Sequence, residues 1–403
     1  MRLTTEQVAD RLDVKTETVY SYVSRGLLHP TRTTDGKGSL FDPEEVERLA
    51  TRRARDRKHK DRGPGVRSAI TVIKDGRLYY RGVDATKLAV GETFEGVAGW
   101  LWNSDLDSSK TFGAPPEMLD LAQVNMTTLP ASTRHIDRLR VITAVAASAD
   151  PFRFNIQSEA VIATGKAILG VMVDALPLQD GKPFLRDRHD LATRLWPRLT
   201  TKPPSDQAIS TLNAALILMA DHGLATSTFA ARVAASSRAN PYAVVAAGLS
   251  AFDGPLHGAA ATHAYQILKD AIKSGDPMGV YAERLRTDGM VAGFFPKGHR
   301  HYPDGDIRAT ALLSLVDELP VPPKMRKAID GLIDAAAARG ASRPSIELAL
   351  AALVHACQMR PDAGEAIFAI ARTAGWIAHA LEEYEEPGLR FRLEGTYTGE
   401  PIT

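Results

Sequence analysis

The sequence predicts a mainly α-helical protein that carries a separate small module at its N-terminus. From about residue 93 onward, apolar residues recur at helical spacing, and clusters of glycine and proline separate the segments. Ahead of them, residues 69–72 and 77–81 have the composition of a short strand pair across a turn at 74–76. Since 403 residues exceed what one compact core usually holds, we also expect two or three domains.

Residues 1–50 have the pattern of a winged helix-turn-helix module. A first helix is predicted to begin at Thr4 or Thr5, and a second helix is predicted to begin at Thr16 after a short turn. Residues 31–41 then predict a hairpin, and the Asp-Pro-Glu-Glu stretch that follows suits the first turn of a third helix. Two short helices, a tight turn and a wing are the plan of such a module.

This module has features of a DNA-binding domain. Side chains on the second helix would face a major groove and those in the wing would meet phosphates, the residues being Lys15, Thr16, Thr18, Tyr20 and Lys37. A basic linker at 51–65 would add to the attraction. However, the first and third helices are acidic, and helix-turn-helix folds also bind proteins. The sequence leaves both DNA binding and protein binding open.

Composition limits the remaining possibilities. The net charge is +1, so the molecule as a whole has no strong attraction to nucleic acid or to a membrane. No apolar stretch approaches the roughly 20 residues that span a bilayer, and the N-terminus lacks a signal peptide, so we expect a cytoplasmic protein without membrane contact. The single cysteine, Cys357, excludes an intramolecular disulfide and a cysteine-based zinc cluster. Its apolar neighbours favour an inert core thiol.

Two histidines beside glycines mark the candidate site. His257 lies in the turn 253–258, and His299 precedes Arg308 by a short distance. Glycine removes side-chain bulk, so a ligand can approach the imidazole closely. Two imidazoles near an arginine suit a reaction on a carbonyl compound that also carries carboxylates. On spacing alone, either histidine could instead be an ordinary turn or loop residue.

Several ordered motifs resemble those of the citrate synthase family. From residue 70 to the C-terminus, the matching segments are 73–84, 220–223 with 227–232, 254–258, 298–300 with 306–308, and 368–376. Residues 1–50 separately resemble the winged helix-turn-helix of the MerR and excisionase type. The resemblance implies a two-domain helical fold over 66–403, with a small subdomain at about 258–350.

The resemblance implies that an acyl-CoA is condensed with oxaloacetate, with acetyl-CoA giving citrate and free CoA. His257 would donate a hydrogen bond to the thioester oxygen, His299 would polarise the ketone, and Glu347 would be the base. Oxaloacetate would be held by His222, Arg308, Phe368, Arg372 and Arg392, the last of which is expected to act across the interface of a homodimer. Lys297 and Arg300 would meet the CoA phosphates. No metal and no cofactor besides the CoA substrate is expected.

Departures from the family pattern at the predicted base and after the His257 turn leave the activity open. Pro344-Ser345-Ile346-Glu347 stands where the family has Pro-Asn-Val-Asp, so the acid is one methylene longer. A misplacement of ~1 Å lowers a rate on the order of 100-fold, and an acid in a first helical turn also has a structural explanation. Ala261 replaces the family's asparagine. The alternatives to citrate synthesis are 2-methylcitrate synthesis from propionyl-CoA and a weakly catalytic, metabolite-sensing DNA-binding regulator.

Overall fold

The chain forms two compact units, Met1–Arg67 and Ser68–Thr403. The computed structural model describes residues 2–12, 14–24, 27–32, 39–47, 49, 66–107, 109–181, 189–295, 299–303, 305–338, 343–392 and 394–399. The linker 51–65 and the predicted contact residues Lys37 and Lys297 lie outside these ranges.

The N-terminal unit contains three short helices and a three-stranded antiparallel sheet of order β1-β3-β2. Its elements are β1 (Leu3–Thr4), α1 (Thr5–Leu12), α2 (Thr16–Ser24), β2 (Thr31–Arg32), β3 (Ser39–Phe41) and α3 (residues 43–47). The predicted hairpin is present, with Thr31 opposite Leu40, and β1 adds a strand that the sequence did not indicate. Val8, Val19 and Phe41 are fully buried, so helices and sheet share one small core.

The second unit opens with a three-stranded meander of order β4-β5-β6. Its strands are β4 (Thr71–Lys74), β5 (Arg77–Tyr80) and β6 (Val83–Asp84). Asp75 and Gly76 have φ of 52° and 71°, the left-handed conformations that a two-residue hairpin turn requires. The predicted strand pair is therefore confirmed, with its first strand beginning at Thr71.

The remainder of this unit is helical. Its helices are α4 (Ala85–Gly91), α5 (Phe94–Asn103), α6 (Pro116–Thr128), α7 (His135–Ala149), α8 (Ser158–Asp174), α9 (Leu191–Leu199), α10 (Asp206–Met219), α11 (Thr226–Ser236), α12 (Pro241–Phe252), α13 (Ala260–Ser274), α14 (Pro277–Asp288), α15 (Ile307–Asp317), α16 (Pro323–Ala338), α17 (Ile346–Ala356) and α18 (Ala363–Glu385). Within the described ranges, none of them is both apolar enough and long enough for a bilayer crossing. Burial raises the pKa of the Cys357 thiol, just after α17, to about 12, which fits an inert core cysteine.

Helix α18 is the centre of the core, and nearly all of its residues are buried. It contacts α5, α7, α8, α10, α11, α12 and α13. Buried charges on a central helix need partners, because an isolated ion is costly to remove from water. Arg232 of α11 provides one set: its Nε lies 3.0 Å from Glu383 Oε2, and its Nη1 lies 2.7 Å from His379 Nδ1. These bonds join α11 to α18.

Helices α12 and α18 also meet at a glycine. A Cβ placed on Gly248 would lie 2.6 Å from Cδ2 of the fully buried Trp376. That distance is well inside van der Waals contact, so any side chain at this position would force the indole or the helix to move. The close approach of the two helices therefore depends on glycine at 248.

We expect Gly248→Ala to lower the free energy of unfolding by about 1–3 kcal/mol, because it overpacks the core against Trp376. Gly91→Ala is the matched control, since this exposed glycine at the end of α4 has no neighbouring atom within 4 Å of its added Cβ in the described structure. Urea unfolding followed by circular dichroism measures both. Equal midpoints for Gly248→Ala and the wild type would contradict the proposed packing.

Candidate active site

His257 lies in the turn between α12 and α13, and the backbone of this turn is tightly folded. His257 N donates to Gly254 O at 3.0 Å, and Gly258 N donates to Phe252 O at 2.8 Å. A Cβ on Gly258 would lie 2.0 Å from the Phe252 ring, so only glycine fits there. The imidazole packs against two phenyl rings, with centroid distances of 5.0 Å to Phe252 and 5.8 Å to Phe368.

The hydrogen bonds of His257 favour one tautomer. Its Nε2 lies 2.7 Å from Ser227 Oγ, which also accepts a hydrogen bond from Trp376 Nε1 at 3.3 Å. Since the serine oxygen already accepts from tryptophan, its own proton is available for His257 Nε2, which leaves the proton of the neutral ring on Nδ1. Burial, and then the charge on Arg372, lower the pKa of His257 to about 4. The ring is thus a neutral donor through Nδ1.

The half-buried His222 and the buried Tyr302 form a pair. His222 Nε2 lies 2.7 Å from the Tyr302 hydroxyl. Burial, followed by the charges of Arg308 and Arg372, holds the pKa of His222 well below its usual range. Burial also raises the pKa of Tyr302 to about 12. Both side chains are therefore neutral and able to act as hydrogen-bonding groups.

Arg308, in the first turn of α15, is buried and paired with Asp306. Its Nε and Nη2 donate to the two carboxylate oxygens at 3.0 and 2.8 Å, and its guanidinium lies 5.5 Å from the centre of the Tyr302 ring. Burial opposes the positive charge, but Asp306 outweighs it and raises the pKa of Arg308. The residue is a permanently charged cation with a fixed orientation.

Arg372 projects from the central helix α18 and is 1% exposed. Its Nε donates to Met219 O at 2.9 Å, and its guanidinium lies 4.9 Å from the centre of the Phe368 ring, as expected for residues four apart on one helix. Burial lowers the pKa of Arg372, whereas Asp221 opposes that shift. Its buried Nη2 has no hydrogen-bond partner in the part of the chain that the structure describes.

His299 stacks on aromatic rings. Its imidazole is nearly parallel to Phe295 with a centroid distance of 4.0 Å, and it lies 6.0 Å from Tyr302. Burial lowers the pKa of His299, with Asp306 opposing the shift. Among the described residues, nothing accepts from or donates to its buried Nδ1.

Glu347 completes the group from the first turn of α17. The hydroxyl of Ser345 donates to Glu347 Oε2. Burial raises the pKa of Glu347, and the bond from Ser345 and the charge on Arg308 oppose that shift. A carboxyl group with a raised pKa is suited to proton transfer near neutral pH.

A cleft of about 640 Å³ joins these elements. His299, Ser345 and Glu347 line it, and the turn that carries His257 contributes Pro255 and Leu256 to its wall. The cleft therefore brings a carboxyl group, a stacked imidazole and the turn that carries His257 together.

A protein-family model described as "Citrate synthase, C-terminal domain" matches residues 63–392, most of the chain. The chain belongs to the citrate synthase family. This membership confirms the predicted helical fold and the predicted enzyme class, an acyltransferase of the citrate synthase type. A second model, described as "Helix-turn-helix domain", matches residues 2–54 and confirms the predicted type of N-terminal module.

Curated relatives include two kinds of citrate synthase family enzyme. Citrate synthase 2 of Bacillus subtilis is 26% identical over 82% of this chain and 93% of its own length. 2-Methylcitrate synthase 2 of Corynebacterium glutamicum is also 26% identical, over 80% of this chain and 89% of its own length. The identities are similar, so they do not favour one substrate over the other.

Solved structures share the fold. The crystal structure of citrate synthase from Thermotoga maritima has a TM-score of 0.67 at 24% identity, covering 85% of this chain and 95% of that chain. Citrate synthase from Thermoplasma acidophilum, solved as a ternary complex with carboxymethyl coenzyme A and oxaloacetate, has a TM-score of 0.72 at 21% identity, covering 86% of this chain and 97% of that chain. At these identities the likeness concerns the fold.

Most of the site residues predicted for this citrate synthase family member lie in one connected group. Contacts join one set around Tyr302 and a second set on α18 and the His257 turn, and the charge of Arg372 acts on Arg308 and His222 in the first set. The residues are His222, His257, His299, Arg308, Glu347, Phe368 and Arg372. Arg300 and Arg392 are exposed and lie outside this group, and Lys297 is outside the described residues.

Sequence reasoning missed two contributors to the site. Tyr302 bonds His222 and contacts both His299 and Arg308, yet its only signal was an aromatic residue soon after His299. Ser227 was noted within a motif but not as the partner of His257, because nothing local relates positions thirty residues apart.

We expect the His257 imidazole to titrate with a midpoint near 4 in the folded protein, because burial and Arg372 disfavour its charged form. Imidazole ¹⁵N NMR between pH 3.5 and 8 measures this, with the His257→Asn variant identifying the resonance. Because the unfolded chain binds this proton at higher pH, the lowered pKa also makes acidification below about 6.5 destabilising. A midpoint near the ordinary histidine value would contradict the neutral-donor assignment.

Proposed function

We propose that this citrate synthase family enzyme condenses acetyl-CoA with oxaloacetate to give citrate and free CoA. The observation that carries the proposal is the buried group around Arg372 and His299, each with a buried nitrogen that has no partner among the described residues. A guanidinium group and an imidazole with unused hydrogen-bonding capacity suit a substrate with carboxylates and a ketone. The related Thermoplasma acidophilum enzyme was solved with oxaloacetate and a CoA analogue, which supports this substrate pair.

Oxaloacetate binding is assigned to the cations and to His222. Arg372 offers its Nη2 to one carboxylate, and Arg308 offers the face of its guanidinium that Asp306 leaves free. Arginine suits carboxylates because its planar fork can donate two parallel hydrogen bonds. His222, neutral through its lowered pKa, orients the substrate without adding charge.

Enolisation of the thioester is assigned to Glu347 and His257. Glu347 removes a proton from the carbon next to the thioester, while the Nδ1–H of His257 donates to the thioester oxygen as electron density moves onto it. Because its pKa of about 4 leaves the His257 imidazole neutral, the ring stabilises the forming enol by donating a hydrogen bond. Burial of Glu347 raises its pKa and so makes it a stronger base than an exposed carboxylate.

Carbon–carbon bond formation follows at the ketone of oxaloacetate. The enol carbon attacks the ketone carbon, and His299 donates to the oxygen on which negative charge develops. The resulting citryl thioester is then cleaved by water, which releases the CoA thiol and citrate. The stacked contact with Phe295 keeps the His299 ring in one orientation through this sequence.

We expect the wild type to release thiol from an acyl-CoA only when oxaloacetate is present. Glu347→Gln should lower kcat on the order of 10²- to 10⁴-fold, since the base is lost, and Glu347→Asp by about 100-fold, since the shorter acid is misplaced. The readout is colorimetric thiol release with acetyl-, propionyl- and butyryl-CoA. A preference for propionyl-CoA would assign 2-methylcitrate synthesis instead.

The control is Glu159→Gln, which removes an exposed acid from the first turn of a different helix, α8. It should leave kcat unchanged. An equal loss in both glutamine variants would reduce Glu347 to a helix-stabilising role. No thiol release from any acyl-CoA would overturn the synthase proposal in favour of a metabolite-sensing regulator.

We further propose that the N-terminal unit is a winged module of the MerR and excisionase type that binds DNA. The match over residues 2–54 supports this, as do helix α2, where Tyr20 is 60% exposed, and the exposed Lys15 just before it. Thr16 and Thr18 are partly exposed beside them. An aromatic residue on the second helix and a cationic residue at its N-terminal end suit a major groove and its phosphates.

We expect the full-length protein to retard a mixed-sequence duplex in a gel-shift assay, with affinity falling steeply from 50 to 200 mM salt. Lys15→Gln should weaken binding and reduce the salt slope by about one. Glu17→Gln on helix α2 is the control and should not weaken binding, because it removes an exposed negative charge. Absence of salt-sensitive retardation would leave the module as a protein-contact domain.

The homodimer and the cytoplasmic location stay predictions. Arg392 is exposed in the C-terminal segment, where Arg390 bonds Glu383 with distances of 2.6 Å to both carboxylate oxygens. This anchor supports the expected role of Arg392 in a second subunit, because it fixes the chain two residues before it.

A further inference from the structure

The first turn of α17 uses its serine in an unusual way. Ser345 is the N-cap residue, and a serine there normally accepts a hydrogen bond from a backbone N–H two or three residues on. Here the side chain makes no such bond, and its hydroxyl donates to the Glu347 carboxylate instead. The helix N-terminus therefore needs another acceptor, and the serine performs a different task.

Asp306, from a distant part of the chain, supplies an acceptor for the first backbone N–H of α17. Its Oδ2 accepts from Ile346 N at 3.1 Å, while its Oδ1 accepts from Arg308 N at 3.0 Å. One buried carboxylate thus serves the N-termini of both α15 and α17, where partial positive charge favours an anion. Ser345 is released from capping by this arrangement.

The backbone around Ser345 is also fixed. Ser345 N donates to Gly293 O at 2.9 Å, and Phe295 N donates to Arg343 O at 3.1 Å, on either side of a bridge between Phe294 and Pro344. A segment held by these bonds cannot easily retreat to make room for a longer acid. The extra methylene of Glu347 must be accommodated by the side chain itself.

We propose that Ser345 is a positioning residue that lets a glutamate serve as the base in this site. Its hydroxyl holds Oε2 back toward the start of α17, so the longer side chain folds and Oε1 remains for the substrate carbon. This inference rests on the proposed function, in which Glu347 removes the proton. It goes beyond that function by naming the contact that makes the longer acid work.

The direction of the effect on acidity follows from the hydrogen bond. A donor to the carboxylate stabilises its charged form, and the Ser345 hydroxyl opposes the rise in the pKa of Glu347 that burial causes. Removing the hydroxyl therefore raises that pKa further. Activity that requires the ionised base is then lost at a higher pH as the solution is acidified.

Ser345→Ala is the primary test. We expect the acid limb of the kcat profile to move up by about one pH unit and kcat to fall on the order of 10-fold, with KM for oxaloacetate unchanged. In the Glu347→Asp background, Ser345→Ala should have little further effect, because the hydroxyl acts only through the longer acid. Equal losses in both backgrounds would overturn the proposal.

Ser205→Ala is the matched control. Ser205 caps α10 in the ordinary way, accepting from Ala208 N at 3.1 Å. Its loss should lower the melting temperature and leave the pH profile unchanged. Ser345→Ala should shift the pH profile and leave the melting temperature unchanged, because Asp306 already binds the N-terminus of α17. A melting-temperature loss without a pH shift in Ser345→Ala would show a capping role only.

A measurement that does not depend on turnover separates the two proposals. The full-length protein labelled with carboxyl-¹³C glutamate is titrated by NMR, and the Glu347→Gln variant identifies the Glu347 resonance. An upward shift of the Glu347 pKa in Ser345→Ala supports the contact between the two side chains, whether or not any acyl-CoA yields thiol. Absence of thiol release would overturn only the synthase function. An unchanged pKa would overturn the positioning role while leaving the synthase function intact.

Discussion

The buried carboxylate of Asp306 is the interaction on which the rest of the site depends. It pairs with Arg308, accepts from the backbone at the start of α15, and accepts from the backbone at the start of α17. The first contact orients a guanidinium group, the second anchors the start of α15, and the third fixes the helix that carries Glu347. Because a buried ion without partners is costly, all the groups that surround Asp306 are held in place together. A single acid thereby holds the guanidinium of Arg308 and the helix that carries Glu347, the proposed substrate-binding cation and the proposed base.

A second network of buried charged groups, on α18, is also held together by hydrogen bonds between distant parts of the chain. Arg232 joins Glu383 and His379, and His379 Nε2 lies 3.4 Å from Asp221, the neighbour of His222. The carboxylates of this network are fully buried and are compensated by arginine and histidine. Such a network specifies one arrangement of helices, since any shift would leave a charge unpaired. The same network that fixes the packing of the core therefore also orients the residue next to His222, a proposed substrate-binding group.

Local patterns predicted the parts of this structure that local physics determines. The turn at 74–76 predicted a hairpin, and the glycines beside His257 marked a turn that the structure contains. The bond between Tyr302 and His222 spans 80 positions, and that between Asp306 and Ile346 spans 40. No periodicity or cap rule relates such distant positions, because only the packing of helices brings them together.

The contacts of Ser345 and Asp306 change the interpretation of Glu347, which stands where the family has an aspartate. As a pattern, a glutamate in a first helical turn is well explained by the helix dipole, and a serine before it is well explained as a cap. Neither explanation describes the structure, because Asp306 takes the capping role and the serine turns to the glutamate. Where a remote carboxylate serves a helix N-terminus, the cap position is free to acquire another function. The pair Ser345 and Glu347 is then one coupled unit, and its two residues would be expected to change together rather than singly.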